Sequence, residues 1–355
     1  NDVKAAPVLY SQSLLLNKDA KFHAVIANSG NANACTGKQG LADSKKMGTE
    51  TARHLKVRED EVLVCSTGRI GVTLPMSRIT AGIRDASEDI LGEFDGAQAF
   101  QEAILTSDTC TKSCSVKINT GQGEISIGGV VKGAGMIEPN MATMLAFIET
   151  NVSINKKNLK KYLNYCANLS FNAISVDGDM STNDCVAFTS TNLVKIDLKN
   201  KNNEKKLLEY ATEFFIKLSS KIVKDGEGAT KIIKLNICNA KTKTLAQEIS
   251  RKISNSLLVK TAMYGEDPNW GRIIASLGSI NKNAFNVVKV KLFINKILCF
   301  DNGTPTDAGS KRLARSMKKN NIEITLDLNS GKAMQTIYFS DLSHEYVHIN
   351  SAYTT

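Results

Sequence analysis

Apolar residues recur along the chain at two different spacings, which predict where helices and strands lie. Spacings of three and four residues predict helices over 40–56, 86–105, 155–172, 204–224, 243–264 and 307–319. Alternating or continuous apolar runs predict strands over 21–28, 61–65, 141–148, 287–294, 297–300, 321–328 and 333–339. Because helices and strands are interspersed along the whole chain, the pattern favours an α/β fold.

The order of elements changes in the last third of the chain. From about residue 245 a helix is followed by two strands, a helix and two strands, which predicts a smaller second α/β unit over 245–345. No stretch rich in Pro, Gly or Ser separates this unit from the rest, so we expect the two units to pack closely.

One central stretch, GGVVKGAGMIEPNMATMLAFIET at 128–150, combines features that favour a reactive site. Pro139 and Asn140 predict a chain reversal. The apolar run 141–148 that follows is interrupted only by Thr143, and it predicts a strand buried on both faces. A hydroxyl between a tight turn and a core strand is well placed for a nucleophile, although a lone threonine in a strand is usually only a β-branched strand residue.

Composition and charge narrow the classes of protein to consider. The chain has 355 residues, 42% hydrophobic and 23% charged, which is typical of a globular protein with two packed units. No apolar run approaches the ~20 residues of a membrane helix, so we expect no membrane partner. The net charge of +10 lies largely in Lys- and Asn-rich stretches such as 194–206, without interleaved aromatic residues. This favours a solvated surface over a nucleic-acid partner.

Cysteine and histidine patterns indicate neither disulfides nor a metal site. The eight cysteines form no CxxC pair, and several lie in apolar surroundings, as reduced thiols do. We therefore expect a reducing compartment and assign the chain to the cytoplasm. His344 and His348 are four residues apart in a segment that we predict to be extended, so we expect no metal ligand pair.

Seven short words resemble, in order, those of the ornithine acetyltransferase (glutamate N-acetyltransferase) family of arginine biosynthesis. The central word KGAGMIEPNMATML resembles the family's self-cleavage segment. The other words are NSGNANACTG, STGRIG, TSDTCTK, NAISVDGDMSTNDCVAF, DGEGATK and the C-terminal HINSAYTT. The resemblance thus covers the whole chain.

The resemblance implies a layered fold and a processed chain. The family fold is an αββα-type assembly, similar to N-terminal-nucleophile hydrolases but topologically distinct from them. The implied cut lies between Ala142 and Thr143, giving an α chain of 1–142 and a β chain of 143–355. The implied mature enzyme contains two α and two β chains.

The resemblance also implies roles for individual residues. Thr67 and Gly68 match the oxyanion-hole donors, and a hydroxyl beside a backbone N–H suits that task. The residues that match the substrate site are Thr109, Lys132, Thr143, Glu227, Asn350 and Thr355. The asparagine-rich loop 28–37 and the acidic turn 177–184 are expected to border this site.

A threonine hydroxyl needs a base before it can attack, and no histidine lies in these words. A cut before Thr143 would supply one, since a free α-amine has a pKa of about 7.7–8. We expect Thr143 to take the acetyl group of N2-acetyl-L-ornithine and pass it to L-glutamate. Charge matching suggests Lys132 for the substrate carboxylate and Glu227 for an ammonium group. No cofactor is expected, and acetyl-CoA is a candidate second donor.

Two other functions fit parts of this pattern. An N-terminal-nucleophile amidase or aminopeptidase would use the same threonine but pass the acyl group to water. A non-enzymatic, basic nucleic-acid-binding protein would stay uncut and would bind nucleic acid with a strong salt dependence.

Overall fold

The structure, a computed structural model, describes residues 1–17, 19–90, 93–138, 144–280, 285–306 and 310–352. These residues form a mixed α/β fold in which helices cover extended sheets. The helices are α1 Ala6–Leu15, α2 Gly37–Leu55, α3 Met76–Glu88, α4 Glu93–Ala103, α5 Lys156–Leu169, α6 Lys201–Lys224, α7 Lys243–Ser254, α8 Leu257–Tyr264, α9 Trp270–Gly278, α10 Ser310–Met317 and α11 His344–Ala352. None of these helices is long and apolar enough to span a membrane.

The strands of the described residues form three sheets. They are β1 Ala24–Asn28, β2 Val62–Ser66, β3 Lys112–Asn119, β4 Glu124–Lys132, β5 Leu145–Val152, β6 Ile174–Ser175, β7 Cys185–Val194, β8 Ile232–Ala240, β9 Lys291–Ile294, β10 Ile297–Asp301, β11 Thr304–Pro305, β12 Asn321–Asp327 and β13 Ala333–Ser340. β1 and β2 form a parallel pair, and two larger sheets have the orders β3-β4-β5-β7 and β11-β10-β9-β12-β8-β13-β6.

The four-stranded sheet joins the two sides of the expected cut. β3 and β4 precede it and β5 and β7 follow it, and β4 pairs antiparallel with β5 from Ile127↔Thr150 to Lys132↔Leu145. Helix α6 packs on β3 and β4. Its fully buried Phe215 contacts the rings of Phe171 and Phe188 edge to face. One core therefore contains residues from both sides of position 142.

The seven-stranded sheet carries a second core. Helices α7, α8, α9 and α10 supply buried residues to it, and its central strands β8, β12 and β9 alternate buried and half-buried positions. The sheet includes β8, which starts before residue 245, and the two-residue β6. The division of the chain into units stays a prediction.

Several predicted elements differ from those observed. The single helix predicted over 243–264 is two helices, because the side chain of Ser256 caps a new helix by accepting from the Val259 N–H. The segment containing His344 and His348 is helical, so the prediction of an extended segment was wrong. Ser343 precedes this helix, and its hydroxyl accepts from the Tyr346 N–H at 3.4 Å, as a helix N-cap does.

Helices α1, α3 and α9 and strands β3, β4, β6, β7, β8 and β11 were not predicted from the apolar pattern. The turn at 139–140 and the residues 141–143 of the predicted central strand lie outside the described residues.

Candidate functional site

The parallel strands β1 and β2 end side by side and bring two loops into contact. The Thr67 N–H donates to the Asn28 carbonyl at 3.0 Å. From a distant part of the chain, the Asn183 side-chain amide donates to the carbonyls of Ala32 at 2.6 Å and Ser66 at 2.8 Å. These bonds fix the backbone around Thr67, whose side chain is buried.

Gly68 has to be a glycine at this point of the fold. Its φ is +127°, and a Cβ there would lie 2.3 Å from the carbonyl carbon of Gly30. Backbone can approach backbone this closely only where the side chain is a hydrogen. The Gly68 N–H makes no hydrogen bond to any residue that the structure describes.

Lys132, at the end of β4, orients the hydroxyl of Thr67. Its ammonium donates to Thr67 Oγ1 at 3.2 Å and to Thr106 Oγ1 at 2.6 Å. An oxygen that accepts from an ammonium keeps its own proton available for another acceptor. The Thr67 hydroxyl and the adjacent Gly68 N–H are therefore two donors without a described acceptor, as an oxyanion hole needs.

Four buried charges hold this arrangement together. Lys112 Nζ lies 2.6 Å from Asp108 Oδ1 and 2.5 Å from Asp225 Oδ2, and Lys132 Nζ lies 3.5 Å from Asp108 Oδ2. All four side chains are 6% exposed or less. Because two ammonium groups face two carboxylates, the cluster is neutral and each charge has a partner, as burial requires.

The pKa values of this cluster reflect the competition between burial and charge. Burial alone would raise the pKa of Asp108, but the Lys132 and Lys112 ammonium groups outweigh it and hold the pKa at about 2. Burial lowers the pKa of Lys132, and Asp108 offsets part of that effect. Asp108 is therefore a permanent carboxylate at neutral pH and the reason that Lys132 can be buried.

Thr109 is tied to the same cluster through Asp225. Its N–H donates to Asp225 Oδ2 at 3.1 Å, and its hydroxyl donates to Asp225 Oδ1. Asp225 ends helix α6, so this contact joins the start of the hairpin β3-β4 to that helix. The described contacts of Thr109 are thus structural, and its predicted contact with substrate stays a prediction.

Glu227 lies on the turn after α6, close to the C-terminal helix. Its N–H donates to the Ala134 carbonyl at 2.9 Å, and its carboxylate accepts from the Asn350 side-chain amide at 2.8 Å. A Cβ on Gly135 would lie 2.4 Å from the carboxylate, so the glycine-spaced segment leaves room for it. The charge of Glu227 acts on Lys132, which places both residues in one electrostatic environment.

The chain on either side of the expected cut is clamped by one segment. Asp177 accepts from the N–H groups of Met136 at 2.6 Å and Ile137 at 2.8 Å. Beyond the cut, the Met144 N–H donates to Asp184 Oδ1 at 3.0 Å, and the Met144 carbonyl accepts from the Cys185 N–H at 3.1 Å. The acidic turn therefore holds both ends of the segment 139–143 through backbone hydrogen bonds.

The structure brings together only some of the predicted site residues. Thr67, Gly68 and Lys132 form one cluster, and Glu227 and Asn350 form a hydrogen-bonded pair beside it. Ala142, Thr143 and Thr355 lie outside the described residues. No group of three or more His, Cys, Asp or Glu side chains that could hold a metal ion occurs in the part of the chain that is described.

Sequence reasoning missed the charges that support Lys132. Asp108 and Lys112 lie in the word TSDTCTK, from which only Thr109 was selected, and Asp225 begins DGEGATK, from which only Glu227 was selected. In a sequence, an aspartate and a lysine four residues apart usually indicate an ion pair on the protein surface. Their burial depends on contacts with residues far away in the sequence.

Asp108 gives a direct test of this charge cluster. Asp108→Asn should lower the free energy of unfolding by about 3–5 kcal/mol, because it leaves buried ammonium charge without its partner. Denaturant unfolding measures this change. Asp85→Asn is the control, since Asp85 pairs with Arg84 on the surface, and it should change stability by no more than about 0.5 kcal/mol.

The acid dependence of stability has a defined sign. The folded-state pKa of Asp108, about 2, lies below the unfolded value of about 3.9. Its contribution is therefore complete above pH ~4 and is lost as pH falls through about 2. The Asp108→Asn variant should lack this part of the acid sensitivity. If Asp108→Asn and Asp85→Asn lowered the free energy of unfolding by the same amount, the importance of the cluster for stability would be contradicted.

Comparison with known proteins gives one consistent result. The sequence model of the ArgJ family matches residues 1–355. The "Arginine biosynthesis bifunctional protein ArgJ" of Caldanaerobacter subterraneus subsp. tengcongensis is 41% identical over 364 residues, covering 100% of this chain and 88% of that protein. The protein of the same name from Thermotoga neapolitana is 40% identical over 361 residues, covering 100% of this chain and 90% of that protein.

A solved structure agrees with the sequence relatives. The crystal structure of arginine biosynthesis bifunctional protein ArgJ from Bacillus halodurans matches with a TM-score of 0.53 at 31% identity. The match covers 58% of this chain and 98% of that chain. The layered α/β fold and the words of the candidate site thus point to the same family. The chain belongs to the ArgJ family of arginine-biosynthesis enzymes.

Proposed function

We propose that this chain cuts itself before Thr143 and then moves the acetyl group of N2-acetyl-L-ornithine to L-glutamate through an acetyl-threonine intermediate. The family supports acetyl transfer in arginine biosynthesis. The observation that carries the mechanism is the pair of adjacent donors without a described protein acceptor, the Thr67 hydroxyl oriented by Lys132 and the Gly68 N–H. Such a pair stabilises the negative oxygen that forms when a carbonyl is attacked.

Self-cleavage would use the threonine hydroxyl on its own chain. Thr143 Oγ attacks the Ala142 carbonyl carbon, and the peptide C–N bond breaks as the hydroxyl proton passes to the leaving nitrogen, so that the acyl group moves from nitrogen to oxygen. Water then hydrolyses this ester and releases the Ala142 carboxylate. The product carries a free α-amine on Thr143, which is the base that the hydroxyl otherwise lacks.

Acetyl transfer would then follow in two half-reactions. The α-amine takes the Oγ proton while Oγ attacks the acetyl carbonyl, and the oxyanion is held by Thr67 and Gly68. Collapse breaks the amide bond, and the leaving ornithine nitrogen receives the proton. The glutamate α-amine attacks the acetyl ester in the same way, which regenerates Thr143 and releases N-acetyl-L-glutamate.

The described contacts support separate roles for the two charged site residues. The Lys132 ammonium donates to Thr67 Oγ1 and is paired with Asp108, so we assign it to orienting Thr67 and adding positive charge beside the oxyanion. Glu227 has one described hydrogen-bond donor to its carboxylate, Asn350, and suits an ammonium group of ornithine. Thr109, Asn350 and Thr355 complete the proposed substrate site.

The proposed assembly contains two α chains of 1–142 and two β chains of 143–355. The β4–β5 ladder and the shared core would keep the two pieces together after the cut. We further propose that the reaction needs no cofactor and that acetyl-CoA can serve as a second donor. The eight cysteines carry free thiols, which suits the cytoplasm as the site of action.

An assay of acetylornithine with and without glutamate tests the reaction. We expect ornithine release to depend on glutamate and N-acetylglutamate to form in equal amount. Release of ornithine and acetate without glutamate would identify an amidase instead. A parallel reaction with acetyl-CoA and glutamate measures the second donor.

Thr143 should be required for both cleavage and transfer. Intact mass should show two chains, 1–142 and 143–355, in the wild type and one uncut chain in Thr143→Ala, which should be inactive. Thr143→Ser keeps the hydroxyl and should retain part of both activities, although its freer χ1 weakens positioning. Thr120→Ala, in the exposed turn of the hairpin β3-β4, is the control and should be cut and active. A fully active uncut wild-type chain would exclude this mechanism.

Thr67 should affect the chemical step more than binding. Thr67→Ala removes one oxyanion donor and should lower kcat by about 10²–10³-fold with little change in KM. It should also slow self-cleavage, which passes through the same kind of intermediate. Thr67→Ser restores the hydroxyl and should recover part of kcat. If the substitution changed only KM, we would assign Thr67 to substrate binding instead of to the oxyanion hole.

A further inference from the structure

The word STGRIG places a positive charge directly after the proposed oxyanion donors. Arg69 follows Gly68 in the chain, and its side chain is exposed. The guanidinium makes no hydrogen bond or ion pair with any residue that the structure describes. The roles assigned so far to the residues around Thr67 leave this charge without a task.

The backbone of Arg69 is fixed against the asparagine-rich loop 28–37. Its N–H donates to the Gly30 carbonyl at 3.3 Å, and its carbonyl accepts from the Ala32 N–H at 2.9 Å. Its Cα is about 3.8 Å from the Cα of Gly68, as in any pair of adjacent residues. These two hydrogen bonds therefore keep the base of the side chain beside the oxyanion donors, while the guanidinium extends into solvent.

The buried lysines of the site are already engaged by protein groups. Lys132 and Lys112 are 2% exposed or less, and both pair with Asp108. The Lys132 ammonium also donates to the hydroxyls of Thr67 and Thr106. A substrate carboxylate would have to compete with these partners for either ammonium. An exposed cation close to the oxyanion donors is a better partner for it.

Both proposed substrates carry a carboxylate at the same separation from the reacting carbon. In N2-acetyl-L-ornithine, three bonds, together about 4 Å long, separate the acetyl carbonyl carbon from the α-carboxylate carbon. When the α-amine of L-glutamate attacks the acetyl ester, the same three bonds separate the two carbons. One cation beside the oxyanion hole can therefore pair with the α-carboxylate in both half-reactions. A guanidinium suits this task because it donates two parallel hydrogen bonds to a carboxylate.

We infer that Arg69 is a specificity-determining residue that binds the α-carboxylate of the amino-acid substrate beside the oxyanion hole. The inference rests on the proposed function, since it needs substrates whose reacting nitrogen is bonded to the carbon that carries a carboxylate. Arg69 forms no covalent bond and moves no proton. Because its ion pair is present both in the bound substrate and in the transition state, Arg69 contributes to KM more than to kcat.

Ligands without the α-carboxylate isolate this contact. Putrescine is ornithine without that group, and calorimetry measures the dissociation constants of both ligands. We expect the wild type to bind ornithine more tightly than putrescine, and Arg69→Gln to reduce this preference about tenfold or more, as for the loss of one charge-assisted contact. Arg69→Lys keeps the charge without the planar fork and should retain part of the preference.

Arg315→Gln is the matched control, since Arg315 is an exposed arginine on α10, a helix of the second core. It should leave the preference for ornithine unchanged. The side chain of Arg69 is exposed, so Arg69→Gln should fold and be cut like the wild type. Intact mass and denaturant unfolding check both points.

The acceptor half-reaction gives an independent measurement. γ-Aminobutyrate is glutamate without its α-carboxylate, and it keeps the other carboxylate. With saturating acetylornithine, Arg69→Gln should raise KM for glutamate about tenfold with kcat nearly unchanged. The same substitution should leave kcat/KM for γ-aminobutyrate unchanged. Equal losses with both acceptors would overturn the inference, because Arg69 would then act on the other carboxylate or on the structure of the loop.

The outcomes for the inference and for the proposed function differ. An unchanged preference for ornithine in Arg69→Gln, in an enzyme whose wild type transfers acetyl groups to glutamate, would overturn the inference alone. A wild type that neither binds ornithine nor transfers acetyl groups to glutamate would overturn the proposed function and the inference together.

Discussion

The requirement that buried charges be paired determines the geometry of this site. Lys132 lies at the end of a core strand, where an unpaired ammonium would be strongly unfavourable. Asp108 compensates it and also pairs with Lys112, which in turn pairs with Asp225 at the end of α6. The four residues thus connect the hairpin β3-β4, the loop before it and a helix of the second half of the chain. A change at any of them would move the ammonium that orients the Thr67 hydroxyl.

Contacts on both sides of positions 142 and 143 would also allow the fold to tolerate the proposed cut. A peptide bond can be broken inside a domain only if the two new ends are held by other contacts. Here the β4–β5 ladder pairs the last described strand before the cut with the first strand after it. The acidic turn binds residues 136 and 137 on one side and Met144 on the other through backbone hydrogen bonds. Backbone contacts of this kind do not depend on the side chains at the cut, which leaves those side chains free for chemistry.

The sequence predicts the layered fold and part of the site, and the failures have physical causes. The strands β1, β2, β12 and β13 follow from plain apolar alternation. β3 and β4 were missed because serines, lysines and two adjacent glycines weaken that alternation, and their strand character depends on pairing with each other and with β5. At the site, Thr67, Gly68 and Lys132 were selected from short words. The partner of Lys132, Asp108, was not selected, because its burial depends on long-range packing that no local spacing reveals.

The two reactions proposed for this chain place opposite electrostatic demands on one small region. An oxyanion forms in each attack and needs positive charge and donors, which Lys132, Thr67 and Gly68 supply. The base, however, becomes a cation at the same moment and needs negative charge close to it. Were Lys132 unscreened, it would oppose that cation. The ion pair with Asp108 offsets the charge of this ammonium, which stays within hydrogen-bond distance of the Thr67 hydroxyl. Asp108 therefore allows one buried cation to support the oxyanion without leaving a net positive charge that would oppose the base.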